Sequence, residues 1–250
     1  MLRLLKALPL ALAIAALFLF TGCGSSNSQA RFVNAIPDDT QQLDIFFNGT
    51  RTFPGVAPFP SFSASTYTNI PAGSDTIAGY VAGQTSNPLF SETSPVSFNS
   101  GSGYTIIATG FLSGTITFLT PTDNNTEPAD GMVNFRVIDA SPSGPAAVDV
   151  WILANPVSVS LSDTAPTISN LSSPAAPTTA VSAYIPMNYN SNAQSPGYTL
   201  FVATHGSTNP IFSDPNIQAG SLSLGSIRTI VLVDSGKSIS STPLVLDDLN

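Results

Sequence analysis

The sequence predicts an all-β protein built as two tandem immunoglobulin-like antiparallel β-sandwich domains. Three observations predict it: charge is scarce, apolar residues alternate in short runs, and the chain repeats itself. Of 250 residues only 9% are charged, with two Lys (Lys6, Lys237) and two Glu (Glu92, Glu127). Surface helices need long charged side chains for their solvent faces and i,i+4 pairs, so a helical bundle or coiled coil is excluded. Gly and Pro make 39 of the 250 residues and punctuate the chain every few positions. A hydrophobic content of 42% still suffices for packed cores.

Along the chain, the first element is a leader. Met1–Lys6 carries Arg3 and Lys6, Ala7–Phe20 is uncharged and almost wholly apolar, and Thr21-Gly22-Cys23 follows. Fourteen helical residues span about 21 Å, short of the ~30 Å hydrocarbon core. Residues 1–22 therefore read as a cleaved signal peptide. The sole cysteine, Cys23, directly follows the small residues, and the site resembles the bacterial lipobox. That resemblance implies a diacylglyceryl thioether on Cys23, which becomes the mature N-terminus. Several acyl chains anchor stably where one does not. Gly24–Ala30 is polar, so 23–30 is expected to be a lipidated Cys and flexible tether. Gly rather than Asp at position 24 implies, by resemblance to lipoprotein sorting, the outer membrane. With Cys23 engaged no disulfide is available. From residue 23 onward fifteen acidic residues face five basic ones, a net charge of −10, so nucleic acid is not an expected partner.

The repeat is read next. Arg31-Phe32-Val33-Asn34-Ala35-Ile36-Pro37 aligns with Arg136-Val137-Ile138-Asp139-Ala140-Ser141-Pro142, and Leu43–Phe47 aligns with Val148–Ile152 at the same offset of 105. Ser86–Glu92 meets Thr208–Asp214 at 122, and Thr105-Ile106-Ile107 meets Thr229-Ile230-Val231 at 124. Thr120-Pro121 and Thr242-Pro243 recur near the two ends. The second copy is thus about 17 residues longer, within the Ser-, Thr-, Pro- and Ala-rich 153–183, expected to be a surface loop. The predicted units are repeat 1 at 31–120, a linker at 121–131 and repeat 2 at 132–250.

Within a copy, Leu43, Ile45 and Phe47 alternate with Asp44, Phe46 and Asn48. Period-two runs bounded by Gly, Pro and Asn mark half-buried strands. In copy one they are expected near 30–35, 42–48, 62–69, 75–82, 88–98, 103–110 and 114–120. Strands at this spacing give a two-sheet sandwich.

The Arg-Φ-Φ-x-Ala-x-Pro motif, the aliphatic-Asp-aliphatic-aromatic strand and the late Thr-Ile-Val strand resemble bacterial domain of unknown function family 4397. The resemblance covers nearly all of 30–250. It implies export or lipid anchoring and tandem copies, and the family's name states that no activity is established for it. The family often has His where this chain has Asn34 and Asp139.

Chemistry is sparsely supplied. His205, the single histidine, sits in a predicted turn and is expected to be an exposed loop residue. No Gly-x-Ser-x-Gly elbow accompanies it. One His and one lipid-committed Cys cannot make the usual zinc set, so no metal or other cofactor is expected. Asp38-Asp39 and Asp247-Asp248 are adjacent in sequence and point to opposite faces of extended chain, as solvated turn carboxylates. Asp123–Pro128 spaces oxygens as a calcium loop does, but Pro128 stands where the turn needs Gly, and a solvated linker is expected. An Asp inside an apolar strand in both copies, with an Arg on the preceding strand, predicts the structural ion pairs Arg31–Asp44 and Arg136–Asp149. Phe46, Trp151, Tyr67, Tyr80 and Tyr184 would stack a sugar if exposed on one face; core or interdomain contact is the expected use. The functional expectation is a non-enzymatic structural, adhesive or binding module on the cell envelope. Its partners would be the membrane, through the lipid, and an envelope protein or polysaccharide. The alternative is a carbohydrate-binding or envelope-assembly accessory protein.

Overall fold

The computed structural model describes residues 27–62, 67–92, 94–191, 197–217, 222–234, 236, 238–240 and 242–248. The leader, Cys23 and most of the tether lie outside them. The first half contains β1 (Asn27–Ala35), β2 (Leu43–Phe47), β3 (Thr50–Val56), β4 (Ser61–Phe62), β5 (Thr68–Pro71), β6 (Gly73–Asp75), β7 (Ile77–Val81), β8 (Phe90–Ser91), β9 (Val96–Phe98), β10 (Gly103–Gly110), β11 (Ile116–Leu119) and β12 (Thr122–Asp123). The second contains β13 (Met132–Asp139), β14 (Ala147–Ala154), β15 (Ile168–Ser172), β16 (Ile185–Asn188), β17 (Tyr198–Thr204), β18 (Pro210–Ile217), β19 (Ile227–Leu232) and β20 (Leu244–Asp247).

Each half is a sandwich of corresponding sheets. One sheet runs β11-β10-β1-β4, with β5 also on β1 and β12 on β10; its counterpart runs β16-β13-β19-β20. The other runs β3-β2-β7-β8, matched by β15-β14-β17-β18. The expected antiparallel sandwich needs one amendment: β1 lies parallel to β10, and β13 parallel to β19. The chain between each pair passes through the opposite sheet, so no crossover helix is required.

Strand parity decides how the halves meet. On β1, Ala30 and Phe32 enter a core with Leu43, Ile45 and Phe47 of the facing sheet. Val33 and Ala35 point the other way, into a separate cluster with Ile138, Ala140, Val231 and Leu246 of the second half. On β13, Val133, Phe135 and Val137 pack with Val148, Val150 and Ile152 in a third core. Beside a small two-stranded β6-β9 sheet, the outcome is four stacked sheets with three hydrophobic layers, the middle one shared. The β1 and β13 sheets therefore carry buried apolar residues on both faces, as double covering requires.

Several boundaries shift from expectation. The first strand starts at Asn27, inside the expected tether, and β12 pairs with β10 from within the expected linker, leaving 124–131 as the connection. Strand β3 is not among the expected strands, because Pro54 and Gly55 argue against one. It is an edge strand, where a missing N–H is tolerated. Its hairpin with β2 is closed by Asn48-Gly49, both at positive φ (46° and 76°), the pairing a two-residue type I′ turn demands. In the second half residues 155–167 replace that turn and account for most of the insertion. They include a short 3₁₀ turn, Leu161–Asp163, so the segment is not bare loop.

Gly79 on β7 faces Phe90 on β8, and a methyl group there would overlap the Phe90 ring. Gly79→Ala is expected to destabilise the protein by about 1–3 kcal/mol through overpacking, measured as a lowered thermal midpoint. An unchanged midpoint would mean that the ring moves aside freely.

Candidate functional site

Four side chains from each half converge where the β1 and β13 sheets face each other. Arg31 is 1% exposed. Its Nε donates to Thr105 Oγ1 at 2.9 Å, its Nη1 to the Asp247 carbonyl at 2.6 Å, and its Nη2 pairs with the Asp248 carboxylate. The guanidinium lies over the Tyr67 ring, 5.2 Å from its centroid. Arg136 repeats every contact. Nε donates to Thr229 Oγ1 at 3.0 Å, Nη1 to the Thr122 carbonyl at 3.1 Å and Nη2 to Asp123 Oδ1 at 2.5 Å, with Tyr184 stacked at 4.6 Å. Each Asp is held on its other side by its own half. Asp123 Oδ2 accepts from Tyr67 at 2.6 Å and Thr105 at 2.7 Å; Asp248 Oδ2 accepts from Tyr184 and Thr229, both at 2.6 Å. The arginines cross the interface and the aspartates stay at home.

Burial works against the Arg31 charge, but Asp248, Tyr67 and Asp123 outweigh it and raise its pKa. Burial first and the neighbouring carboxylates next push Tyr67 and Tyr184 far above the ordinary phenol range, so both remain hydrogen-bond donors; Arg136 partly opposes this at Tyr184. Two cations face two anions with their donors and acceptors matched, the condition under which a buried pair is tolerated. Such a network favours one docking geometry over its alternatives.

The expected pairs Arg31–Asp44 and Arg136–Asp149 do not form. Arg31 and Asp44 lie on different sheets and on opposite outer faces of the sandwich, since Phe32 and Ile45 fill the space between. Asp44 instead clamps the edges of its own sheet. Its Oδ1 accepts from the Gly55 N–H at 2.8 Å, and its Oδ2 from the Gly83 N–H at 2.9 Å and Arg51 Nε at 3.2 Å. Asp149 does the same with Asn170 N–H at 2.9 Å, Gly206 N–H at 2.8 Å and His205 Nδ1 at 2.8 Å. The pairs Gly55/Asn170 and Gly83/Gly206 all have positive φ, which frees their N–H groups for the carboxylate. Gly83 thus corresponds to Gly206, one place beyond the ungapped alignment. His205 is a turn residue, 47% exposed, and its partner is Asp149.

The other candidates resolve individually. In each Asp pair one member is buried: Asp38 caps Leu112 while Asp39 is held by Asn34, and Asp247 pairs with Arg228 while Asp248 enters the lock. Adjacent carboxylates do face opposite ways, but only one of each pair is solvated. Asp123 is likewise engaged, so the calcium-like spacing of 123–128 has lost its first ligand to Arg136. Among the described residues no group of three or more His, Cys, Asp or Glu could hold a metal ion. The aromatic set forms no exposed platform. Phe46 packs edge-on against Tyr80, and Tyr67 and Tyr184 cover the arginines. Trp151 is 2% exposed, with Nε1 donating to the Thr164 carbonyl at 2.8 Å. It lies beside a shallow groove of about 400 Å³ shared with Asp149, Ser162, Asp163 and Ser207.

Residues 28–151 match the family described as Domain of unknown function (DUF4397). No curated protein matches the chain. The DUF4397 match takes in the whole first sandwich with Arg31, Asp44, Tyr67, Thr105 and Asp123, then runs on through β13 and most of β14 to Trp151. Its end therefore falls inside the second sandwich.

One equivalent pair, both members of which lie within the DUF4397 stretch, differs between the halves. Asn34 Oδ1 accepts from the Ile36 N–H at 3.2 Å, and its Nδ2 donates to Asp39 at 2.6 Å. At the corresponding place Asp139 Oδ1 accepts from the Ser141 N–H at 2.9 Å, but its buried Oδ2 has no partner. Ser141 Oγ donates at 3.2 Å to Asp234, the nearby carboxylate. Burial, reinforced by Asp234 and opposed by the Ser141 N–H, pushes the Asp139 carboxyl up to about 7.

Two pH trends of opposite sign follow. At Asp44 and Asp149 burial raises the pKa, but the Gly83 or Gly206 N–H and the remaining partners outweigh it and hold each carboxyl below its ordinary value. Their stabilisation is present above about pH 4 and is lost as pH falls below it. Asp149→Asn should cost on the order of 2 kcal/mol at neutral pH, read by denaturant melts, whereas His205→Ala should cost under about 1 kcal/mol because the imidazole is half exposed. Asp139 binds its proton more tightly when folded, so stability falls as pH rises from about 4 to 7. Asp139→Asn, which installs the first-half residue, should remove that slope and stabilise the protein above pH 7 by on the order of a few kcal/mol. Parallel pH–stability curves for wild type and variant would refute this.

Proposed function

We propose that this protein is a lipid-anchored, non-enzymatic envelope module that holds a rigid double sandwich at a membrane surface and presents its loops to partners. The observation that carries the reading is the crossed lock, in which Arg31, Arg136, Asp123 and Asp248 weld two sandwiches into one body. The buried or recurrent charges the sequence offers for chemistry are engaged in holding strands and turns, a use that suits a scaffold. The apolar leader followed by Cys23 and a polar tether supplies the anchor in this reading, with Gly24 directing it to the outer membrane. The second half, whose sheets and lock residues mirror the first, is the second tandem copy of the DUF4397 unit. Among the described residues no helix is long and apolar enough to cross a membrane, and a thioether-linked acyl group needs none.

Membrane fractionation and intact-mass measurement of the mature N-terminus test the proposal. Wild type should sediment with membranes and carry the mass of a diacylglyceryl group, with a further acyl chain where the host adds one. Cys23→Ser should move to the soluble fraction without that mass. A soluble, unmodified wild type would overturn the reading.

A further inference from the structure

We infer that the face bearing the crossed lock is self-complementary, so that it accepts a second copy of this chain: halves exchange between molecules, and each half pairs with its own kind. The reciprocity of the contacts carries this. Arg31 of the first half reaches Asp248 of the second, and Arg136 of the second reaches Asp123 of the first. A head-to-tail stack would send Arg136 onward to a third body. Only a two-fold relation returns the contact, and a two-fold interface uses the same patch on both sides.

The match extends beyond the charges. Both members of the equivalent pairs Val33/Ile138, Ala35/Ala140 and Ile107/Val231 lie in the one shared cluster. Each arginine is held by an equivalent Thr, stacked by an equivalent Tyr and capped by the carbonyl preceding the equivalent Asp. A first half meeting another first half therefore finds Asp123 and the Thr122 carbonyl where it now finds Asp248 and the Asp247 carbonyl. The symmetry is incomplete at two places: Thr109 Oγ1 donates to the Ala140 carbonyl at 2.6 Å where the second half has Val233, and the shared cluster takes Ala180 and Val181 from the second half but Phe59 from the first. The Thr109 bond and the high effective concentration set by the short connection favour pairing within one chain. Cutting the connection removes the second advantage.

The test uses the full chain with a protease recognition sequence inserted between Thr126 and Glu127, cut after folding and followed by native mass spectrometry across a concentration series. The halves should remain associated, and first-half and second-half pairs should appear beside the mixed pair as the halves redistribute. Asp123→Asn removes both crossing contacts from the first-half pair, one of two from the mixed pair and none from the second-half pair. It should abolish the first, weaken the mixed pair on the order of 30-fold and leave the second-half pair unchanged. Asp248→Asn should give the mirror pattern, which keeps the test decisive should one variant half fail to fold. Mixed pairs alone at every concentration, or equal weakening of all three pairs by both variants, would overturn the inference.

Discussion

Two arginines held between two sheets organise this molecule. A strand covered on one face only can let its other face be polar and wet. Over residues 30–35 and 135–139 the β1 and β13 strands have no wet face, because each is clasped there between its own sandwich and the neighbouring one. A charged side chain in such a strand must find an opposite charge and a full set of hydrogen-bond partners, or the desolvation penalty is uncompensated. The crossed arrangement meets that demand for both arginines at once. It does so by drawing each aspartate from the strand end of one half and each cation from the other.

Alongside the lock, the Asp clamps act within single sheets. Asp44 and Asp149 each tie a neighbouring strand, through Gly55 or Asn170, to a hairpin turn, through Gly83 or Gly206. The cation completing the set differs, Arg51 in one half and His205 in the other, as befits exposed groups that contribute little. Backbone donors are therefore the common part of the motif. The sole histidine, His205, completes one of these clamps.

The halves diverge where packing is locally replaceable. The Asn48-Gly49 turn of one half becomes residues 155–167 in the other, and that segment covers Trp151. Asn34, a satisfied donor, becomes Asp139, a buried acid with an unpartnered oxygen. At the shared sheet-to-sheet interface the lock residues Arg, Thr, Tyr and Asp are the same in both halves, because a change on either side must be matched on the other.

Sequence alone determined the all-β class, and it carried the internal repeat and the alternation of strand faces, since alternation and self-similarity are local patterns written residue by residue. It singled out Arg31, Arg136, Asp44 and Asp149 as recurrent charges in apolar strands. It also held two signals that pointed further: Asn48-Gly49 marked the hairpin to β3, and Thr105/Thr229 marked the relay hydroxyls. Which charge meets which was decided only by tertiary structure. Arg31 and Asp248 are separated by nearly the whole chain, and the offset between the repeats drifts from 105 to 125 along it, so no local spacing relates them. Sequence neighbours on adjacent strands looked like partners; the pleat pointed them to opposite sides of a sandwich, and a second sandwich stood where one of them pointed.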